Sequence, residues 1–196
     1  MNDSVVQTYN RCTTCRGGVM EESQESTIKK AQKGDDDALA LLLKTHYESV
    51  YRFLVKITLN PEYAQDLTQD TMTKAIVGIQ SYNRKKAKFS TWLFQIATNL
   101  FLDKKRKKKH EDQYVQMQKL QWSMKQEAND DWMDVQQVLA KLDEKKRIPL
   151  LLKHYYGYSY EEISQICQIR VGTAKSRVNS GLELVRKELS GNEPRE

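Results

Sequence analysis

Apolar residues in this chain recur at steps of three and four, a spacing that leaves little room for anything but packed helices. Ile28 and Ala31 begin the pattern. Leu39, Leu42, Leu43, Tyr47, Val50, Leu54 and Ile57 carry it on, and Ala64, Leu67, Thr71, Ala75 and Ile79 repeat it. Each set makes one stripe of an α-helix, whereas a half-buried strand would alternate every second residue. Only three prolines and eight glycines interrupt 196 residues. The prediction is an all-α protein.

The breaks fall where helix chemistry wants them. Gly34-Asp35 stops one stripe and offers a new N-cap. Asn60-Pro61 places a capping amide before a proline at the first helical position, where its missing N–H costs nothing. A polar, basic loop over 81–88 precedes a helix starting near Ser90, with Leu93, Ile96, Leu100 and Phe101 apolar. Residues 110–131 are polar and Gln-rich and read as a flexible linker. Beyond them Val135, Val138, Leu139 and Leu142 form a short amphipathic helix. Asp143 caps the next, in which Pro149 removes a backbone hydrogen bond and is expected to cause a bend. Two small helical domains result, 25–109 and 132–190, with a short tail over 191–196.

Charge is concentrated rather than spread. Arg84 to His110 holds ten Lys or Arg against one acid, a net +9 that exceeds the +6 of the whole chain. A positive patch on an otherwise slightly acidic protein is a phosphate-binding footprint, expected to neutralise about six or more phosphates and to bind with strong salt dependence. The six cations Lys104–Lys109 also suit the C-terminal end of a helix.

The second half carries a DNA-reading pattern. Ser159-Tyr160-Glu161-Glu162 is a capping box that opens a short helix with Ile163, Ile166 and Cys167 inward. A break at Gln168-Ile169-Arg170, without the usual turn glycine, leads into a longer helix. Val171, Ala174, Val178, Leu182, Val185 and Leu189 face inward there. This is a helix-turn-helix pattern, whose second helix enters the major groove by its N-terminal residues. Thr173, Lys175, Ser176, Arg177, Asn179 and Ser180 are left to face DNA; short hydrogen-bonding groups and flexible cations suit base edges and phosphates. By itself this half suits a stand-alone repressor or activator equally well.

Ala64-Gln65-Asp66-Leu67-Thr68-Gln69-Asp70 and the run from Phe89-Ser90-Thr91-Trp92-Leu93-Phe94 through Gln95-Ile96-Ala97-Thr98-Asn99 resemble region 2 of the extracytoplasmic-function (ECF) sigma factors of the sigma-70 family. Ser159-Tyr160-Glu161-Glu162-Ile163 and Val171-Gly172-Thr173-Ala174-Lys175-Ser176-Arg177 resemble their region 4. The resemblance spans about residues 25–190, with both motif sets in order. It implies a factor that binds core RNA polymerase and directs recognition of the −10 and −35 promoter elements. Asp66, Gln69 and Asp70, on one polar stripe, would dock on the clamp helices of the largest polymerase subunit. Asn83, Arg84, Lys85, Lys86, Lys88, Trp92, Gln95, Asn99 and Arg106 would meet the melted −10 strand, with Trp92 open between packing anchor and base-stacking platform. The loop is about one residue longer than family members usually have. Thr173 to Ser180 would read the −35 duplex, with Lys175, Ser176 and Asn179 nearest the bases and Arg177 on phosphate. An anti-sigma partner, often membrane-bound in this family, is implied too. A decoy occupying the same polymerase groove without reading promoters is a rival reading.

Nothing in the residues points to catalysis, a cofactor or a small-molecule substrate. His46, His110 and His154 stand far apart, and there is no phosphate-binding glycine loop or G-x-S-x-G. Cys12 and Cys15 lack a second ligand pair at zinc spacing, so no metal is expected. The Tyr155-Tyr156-Gly157-Tyr158 cluster is expected to pack around the helix-turn-helix. Three cysteines make no even disulfide framework, and no apolar run approaches the ~18 residues of a membrane span, so a cytoplasmic protein is expected. Residues 1–24 are expected to be an unstructured leader. Because Arg16-Gly17-Gly18-Val19-Met20 can be encoded by a ribosome-binding sequence followed by a start codon, the native chain is expected to begin at Met20.

Overall fold

The computed structural model describes residues 19–108 and 137–190, with side chains described over 24–107 and 137–188. The expected linker, most of the leader and the tail lie outside these residues. Every described element is helical: α1 (Val19–Gln32), α2 (Asp36–Thr58), α3 (Pro61–Gly78) with a 3-10 turn over Ile79–Ser81, α4 (Phe89–Lys108), α5 (Glu144–His154), α6 (Tyr160–Cys167) and α7 (Val171–Ser190). Residues 137–141 are also helical. α1 starts six residues before the expected boundary at Glu25.

The caps form as their chemistry requires. Asp35 accepts from the Ala38 amide at 2.9 Å, Asn60 from Tyr63 at 3.0 Å and Asp143 from Lys145 at 3.0 Å. Each satisfies an amide that has no partner inside its helix. Backbone hydrogen bonding pulls the Asp143 carboxyl below its ordinary range. Pro149 stands inside α5 without ending it; its side chain is buried beside Ile148 and Leu150. Arg147 is buried too, and its guanidinium donates to the Leu139 carbonyl at 3.3 Å, tying the 137–141 segment to α5.

α1 to α4 form a bundle around Phe53, Leu54, Ile57, Leu67, Leu93 and Phe94, all at most 2% exposed. Phe53 and Phe94 stack at 4.5 Å between centroids, and such pairs add about 0.5–1.5 kcal/mol beyond their buried area. Tyr47, expected on the inner stripe, is 37% exposed instead. In the second half α5, α6 and α7 enclose Ile148, Leu152, Ile163, Ile166, Ala174 and Val178.

The two halves share one continuous core. α6 packs on α4, and α5 touches α2. The tyrosine cluster makes much of this contact. Tyr156 meets Phe53 and Phe94 edge-on at 5.7 and 5.3 Å, Tyr158 lies 5.7 Å from Phe94, and the Lys56 ammonium sits 4.6 Å over the Tyr155 ring. The cluster therefore packs against the first half as well as around the helix-turn-helix. Large amphipathic rings bury most surface where two preformed apolar faces meet.

Candidate functional site

The polar stripe of α3 begins with the Asn60 cap, which sets the helix so that Ala64, Leu67, Thr68, Thr71 and Ala75 turn inward. Asp66 and Gln69 are exposed on the opposite face. Asp70 is half-buried, and its carboxylate accepts from the Lys104 ammonium of α4 at 2.5 Å. That hydrogen bond holds the Lys104 ammonium above its ordinary pKa. Asp66, Asp70, Lys104 and the Tyr63 phenol share one electrostatic neighbourhood, and burial raises the Tyr63 pKa. The stripe thus presents two open groups and one that already has a partner.

The basic loop is built on residues with no charge. Gln32 of α1 donates to the carbonyls of Ile79 at 3.0 Å and Tyr82 at 2.8 Å, pinning the loop's entry. The Tyr82 ring is buried and its hydroxyl donates to the Ala87 carbonyl at 2.9 Å, closing the loop across its mouth. Asn83 accepts from the Lys85 amide at 2.9 Å through its side chain and from Lys86 at 3.0 Å through its carbonyl. Such an Asx turn fixes the backbone locally. Asn83 is thereby a turn former as well as an exposed polar group. Arg84, Lys85, Lys86 and Lys88 all project outward.

Trp92 is half-buried in a cluster with Tyr82 at 5.1 Å and Phe89 at 5.5 Å. Its ring closes so tightly on Gly78 that a Cβ there would lie 3.2 Å from Cζ2. It also lines a shallow cleft of about 380 Å³ with Thr73, Lys74, Val77, Gly78 and Ile96. Gln95 and Asn99 follow Trp92 on α4, both half-buried, and Arg106 is exposed and paired with Asp103 at 3.2 Å.

The helix-turn-helix is held at both ends of α6. The Glu162 Oε2 accepts from the Ser159 amide at 2.9 Å, while the Ser159 hydroxyl accepts from the Glu162 amide at 3.2 Å. At the other end Gln168 takes the left-handed conformation (φ +53°) that glycine usually supplies. The Ile169 amide then reaches back to the Ser164 carbonyl at 3.0 Å, and the Ser164 hydroxyl donates to the Ile169 carbonyl at 2.6 Å. Ala174 and Val178 anchor α7 on α6, so Lys175, Ser176 and Asn179 are exposed near its N-terminus. Thr173, Arg177 and Ser180 are half-buried. The Lys175 ammonium lies 5.7 Å over the Tyr160 ring. Burial pushes the Cys167 thiol up to about 12, so it is a packing group rather than a nucleophile.

Sequence reasoning missed Gln32, Tyr82 and Gly78, which position the loop and Trp92. Only the Tyr82/Phe89/Trp92 spacing, three aromatics flanking a basic loop, carried any signal. Among the described residues there is no His/Cys/Asp/Glu group fit to hold a metal ion, and no helix is long and apolar enough to cross a membrane.

This arrangement matches known proteins over most of its length. The sigma-70 region 2 family model matches residues 42–111, and the sigma-70 region 4 model residues 132–184. The ECF RNA polymerase sigma factor SigW of Bacillus subtilis is 33% identical, covering 87% of this chain and 98% of the relative. EcfG of Rhodopseudomonas palustris is 34% identical over 74% of this chain and 78% of its own length. Among solved structures, the sigma factor RpoE of Bartonella quintana, in complex with the anti-sigma factor NepR, superposes with a TM-score of 0.63 at 26% identity, covering 81% of this chain and 99% of that one. CnrH, in complex with the cytosolic domain of CnrY, gives 0.64 at 18% identity, covering 85% and 97%, a likeness of fold. With matching models in both halves and relatives aligned over 87% and 74% of the chain, this protein belongs to the sigma-70 family as an ECF RNA polymerase sigma factor, a promoter-recognition subunit for transcription initiation.

Proposed function

We propose a division of labour among the three surfaces. Asp66 and Gln69 of α3, with Asp70 once it exchanges Lys104 for a partner cation, grip the clamp helices of the largest subunit of core polymerase. Carboxylates flanked by an amide suit arginine-rich helices through charge-assisted hydrogen bonds. Arg84, Lys85, Lys86, Lys88 and Arg106, with Asn83, Gln95 and Asn99, guide the melted −10 strand, a polymer that needs a positive rail more than a shaped groove. Lys175, Ser176 and Asn179 read −35 base edges from α7, with Thr173, Arg177 and Ser180 supporting backbone contacts. Trp92 serves as the anchor of α4.

The observation carrying this reading is that Lys175, Ser176 and Asn179, and no apolar residue, crown the free N-terminal part of α7 while Ala174 and Val178 are fully turned inward. In a helix-turn-helix that exposed N-terminal set is the part of the second helix that enters the major groove. The basic loop and the acidic stripe separate this reading from a stand-alone repressor, which would use neither. The protein works in the cytoplasm, where polymerase is. An anti-sigma factor is a further partner, on the analogy of RpoE with NepR and CnrH with CnrY.

Run-off transcription with purified core polymerase, with and without the protein, tests the whole scheme. Promoter-dependent transcripts are expected only with both. Specific duplex binding without any association with core would replace the scheme with the repressor, and core binding without transcripts would replace it with the decoy.

A further inference from the structure

The basic loop has two tethers to α1, and they differ in kind. Gln32 gives its side-chain amide to the carbonyls of Ile79 at 3.0 Å and Tyr82 at 2.8 Å, 47 and 50 residues further along the chain. An amide nitrogen carries two N–H groups, so this donor is fully used. About two turns earlier, on the same face of α1, Glu25 pairs with Arg84 inside the loop at 2.5 Å. The first tether is neutral and grips backbone. The second is an ion pair whose side chains are 42% and 41% exposed, open to water and to competing ions.

The difference matters once a nucleic acid arrives. Arg84, Lys85, Lys86 and Lys88 stand close together in sequence, so the loop's own charges repel and do not help it hold a shape. Phosphate and salt both compete for Arg84, which makes the Glu25 pair the tether that a bound strand displaces. Neither competes for two carbonyls. Tyr82 has turned to extended backbone (φ −64°, ψ 134°), where its carbonyl is outside the helical ladder, and its hydroxyl donates to the Ala87 carbonyl at 2.9 Å. Gln32 therefore holds the residue whose ring spans the mouth of the loop.

We infer that Gln32 is a positioning residue for −10 recognition. It fixes the backbone from which Asn83 and the cations after it meet the unstacked strand, and so sets base selectivity rather than bulk attraction. The inference rests on the reading of the basic loop as a −10 contact. A rail of cations attracts every strand alike, whereas telling one base from another requires polar groups held to within about 0.5 Å. Gln32 touches no nucleotide in this role; it acts through Tyr82 and the turn at Asn83.

The test uses holoenzyme reconstituted from core polymerase and the full chain. A promoter located by mapping transcript 5′ ends is compared with the same promoter carrying single-base changes in its −10 element. The ratio of transcripts from the two is taken on one preparation and is blind to the fraction folded. Gln32→Met keeps the length and removes both donors; Gln32→Glu keeps the shape and sets acceptors against two carbonyls. Each is expected to lower the ratio about fivefold, the contribution of roughly one hydrogen bond, and equally at about 50 and 200 mM salt. Trypsin is expected to cut both variants faster after Lys85 and Lys86. Ile57→Val, a mild truncation in the core of the first half, is expected to leave the ratio unchanged. Lys85→Gln/Lys86→Gln tests the underlying reading and is expected to lower transcription from every promoter. With that loop variant impaired, a ratio unchanged in the Gln32 variants, lowered as much by Ile57→Val, or restored at high salt overturns the positioning role, as does unaltered cleavage, and the loop reading stands. If the loop variant transcribes like the parent, the loop reading falls and the inference with it.

Discussion

Replacing Trp92 with alanine separates two roles that look alike in sequence. As an anchor, the indole fills the space between Tyr82, Phe89 and Gly78, with its Cζ2 only 3.2 Å from where a Gly78 Cβ would be. Truncating a fully buried Trp or Phe removes about 3–5 kcal/mol. Trp92 is half-buried, so about 2 kcal/mol is the appropriate figure, or a drop of about 4–8 °C in midpoint for a chain of this size. Because Tyr82 also holds the basic loop through the Ala87 carbonyl, losing the indole loosens the loop as well. Urea unfolding of the full chain reads the first effect; run-off transcription from duplex and pre-melted templates reads the second. Trp92→Ala is expected to lower both stability and transcription, and Trp92→Phe to restore most of each. A platform for an unstacked base would behave differently: removing such a stack weakens strand binding by about 1–3 kcal/mol per base and leaves the fold alone. An unchanged unfolding midpoint in Trp92→Ala, with transcription lost on both templates, would refute the anchor.

Four further outcomes follow from individual contacts. Asp66→Arg is expected to weaken co-elution with core polymerase at low salt while the chain's helical circular dichroism persists; undiminished co-elution would remove Asp66 from the interface. Lys175→Ala is expected to cut transcription from a −35-dependent promoter about 5- to 100-fold, the range for a lost base contact; equal sensitivity on a scrambled −35 element would count against it. Gln168→Gly is expected to raise unfolding free energy by about 0.5–1 kcal/mol, because glycine adopts the left-handed turn without the Cβ penalty, and a lower urea midpoint would contradict this. For pH, burial lowers the pKa of His46, whose Nε2 lies 2.7 Å from the Gln24 amide nitrogen and must accept from it. The unfolded chain therefore takes up the proton first, so stability is full above about pH 6.5 and falls below it. His154, lowered chiefly by burial, acts in the same sense. His46→Gln is expected to flatten the loss of urea midpoint between pH 7.5 and 5.5; an unaltered loss would exclude His46 as its source.

Local chemistry was legible. Asp35, Asn60, Asp143 and Ser159 announce their helices because a cap needs only residues two or three positions away, and each forms as expected. The inward faces of α3 and α6 likewise follow from spacing alone. Tyr47 failed because a stripe wider than the groove it faces leaves its edge in water, and periodicity does not report that width. The turn at Gln168 hid for another reason: the Ser164 hydroxyl and two backbone amides stabilise a conformation that the Gln side chain itself does not favour.

What sequence reasoning could not supply is the partner of each charge. Lys104 and Asp70 are 34 residues apart, Lys105 and Glu144 39, Arg84 and Glu25 59. No spacing rule connects them, because they meet only when helices from different parts of the chain pack. The same holds for Tyr156 on Phe94. This changes a quantity, not only a picture. A net +9 over Arg84–His110 implies a rail able to neutralise six or more phosphates at first contact. In the folded chain Lys85, Lys86 and Lys107 are the cations of that segment with no ion pair among the described residues, while five others hold carboxylates. Salt dependence measured on the free protein is therefore expected to be shallower than the formal charge of the segment implies.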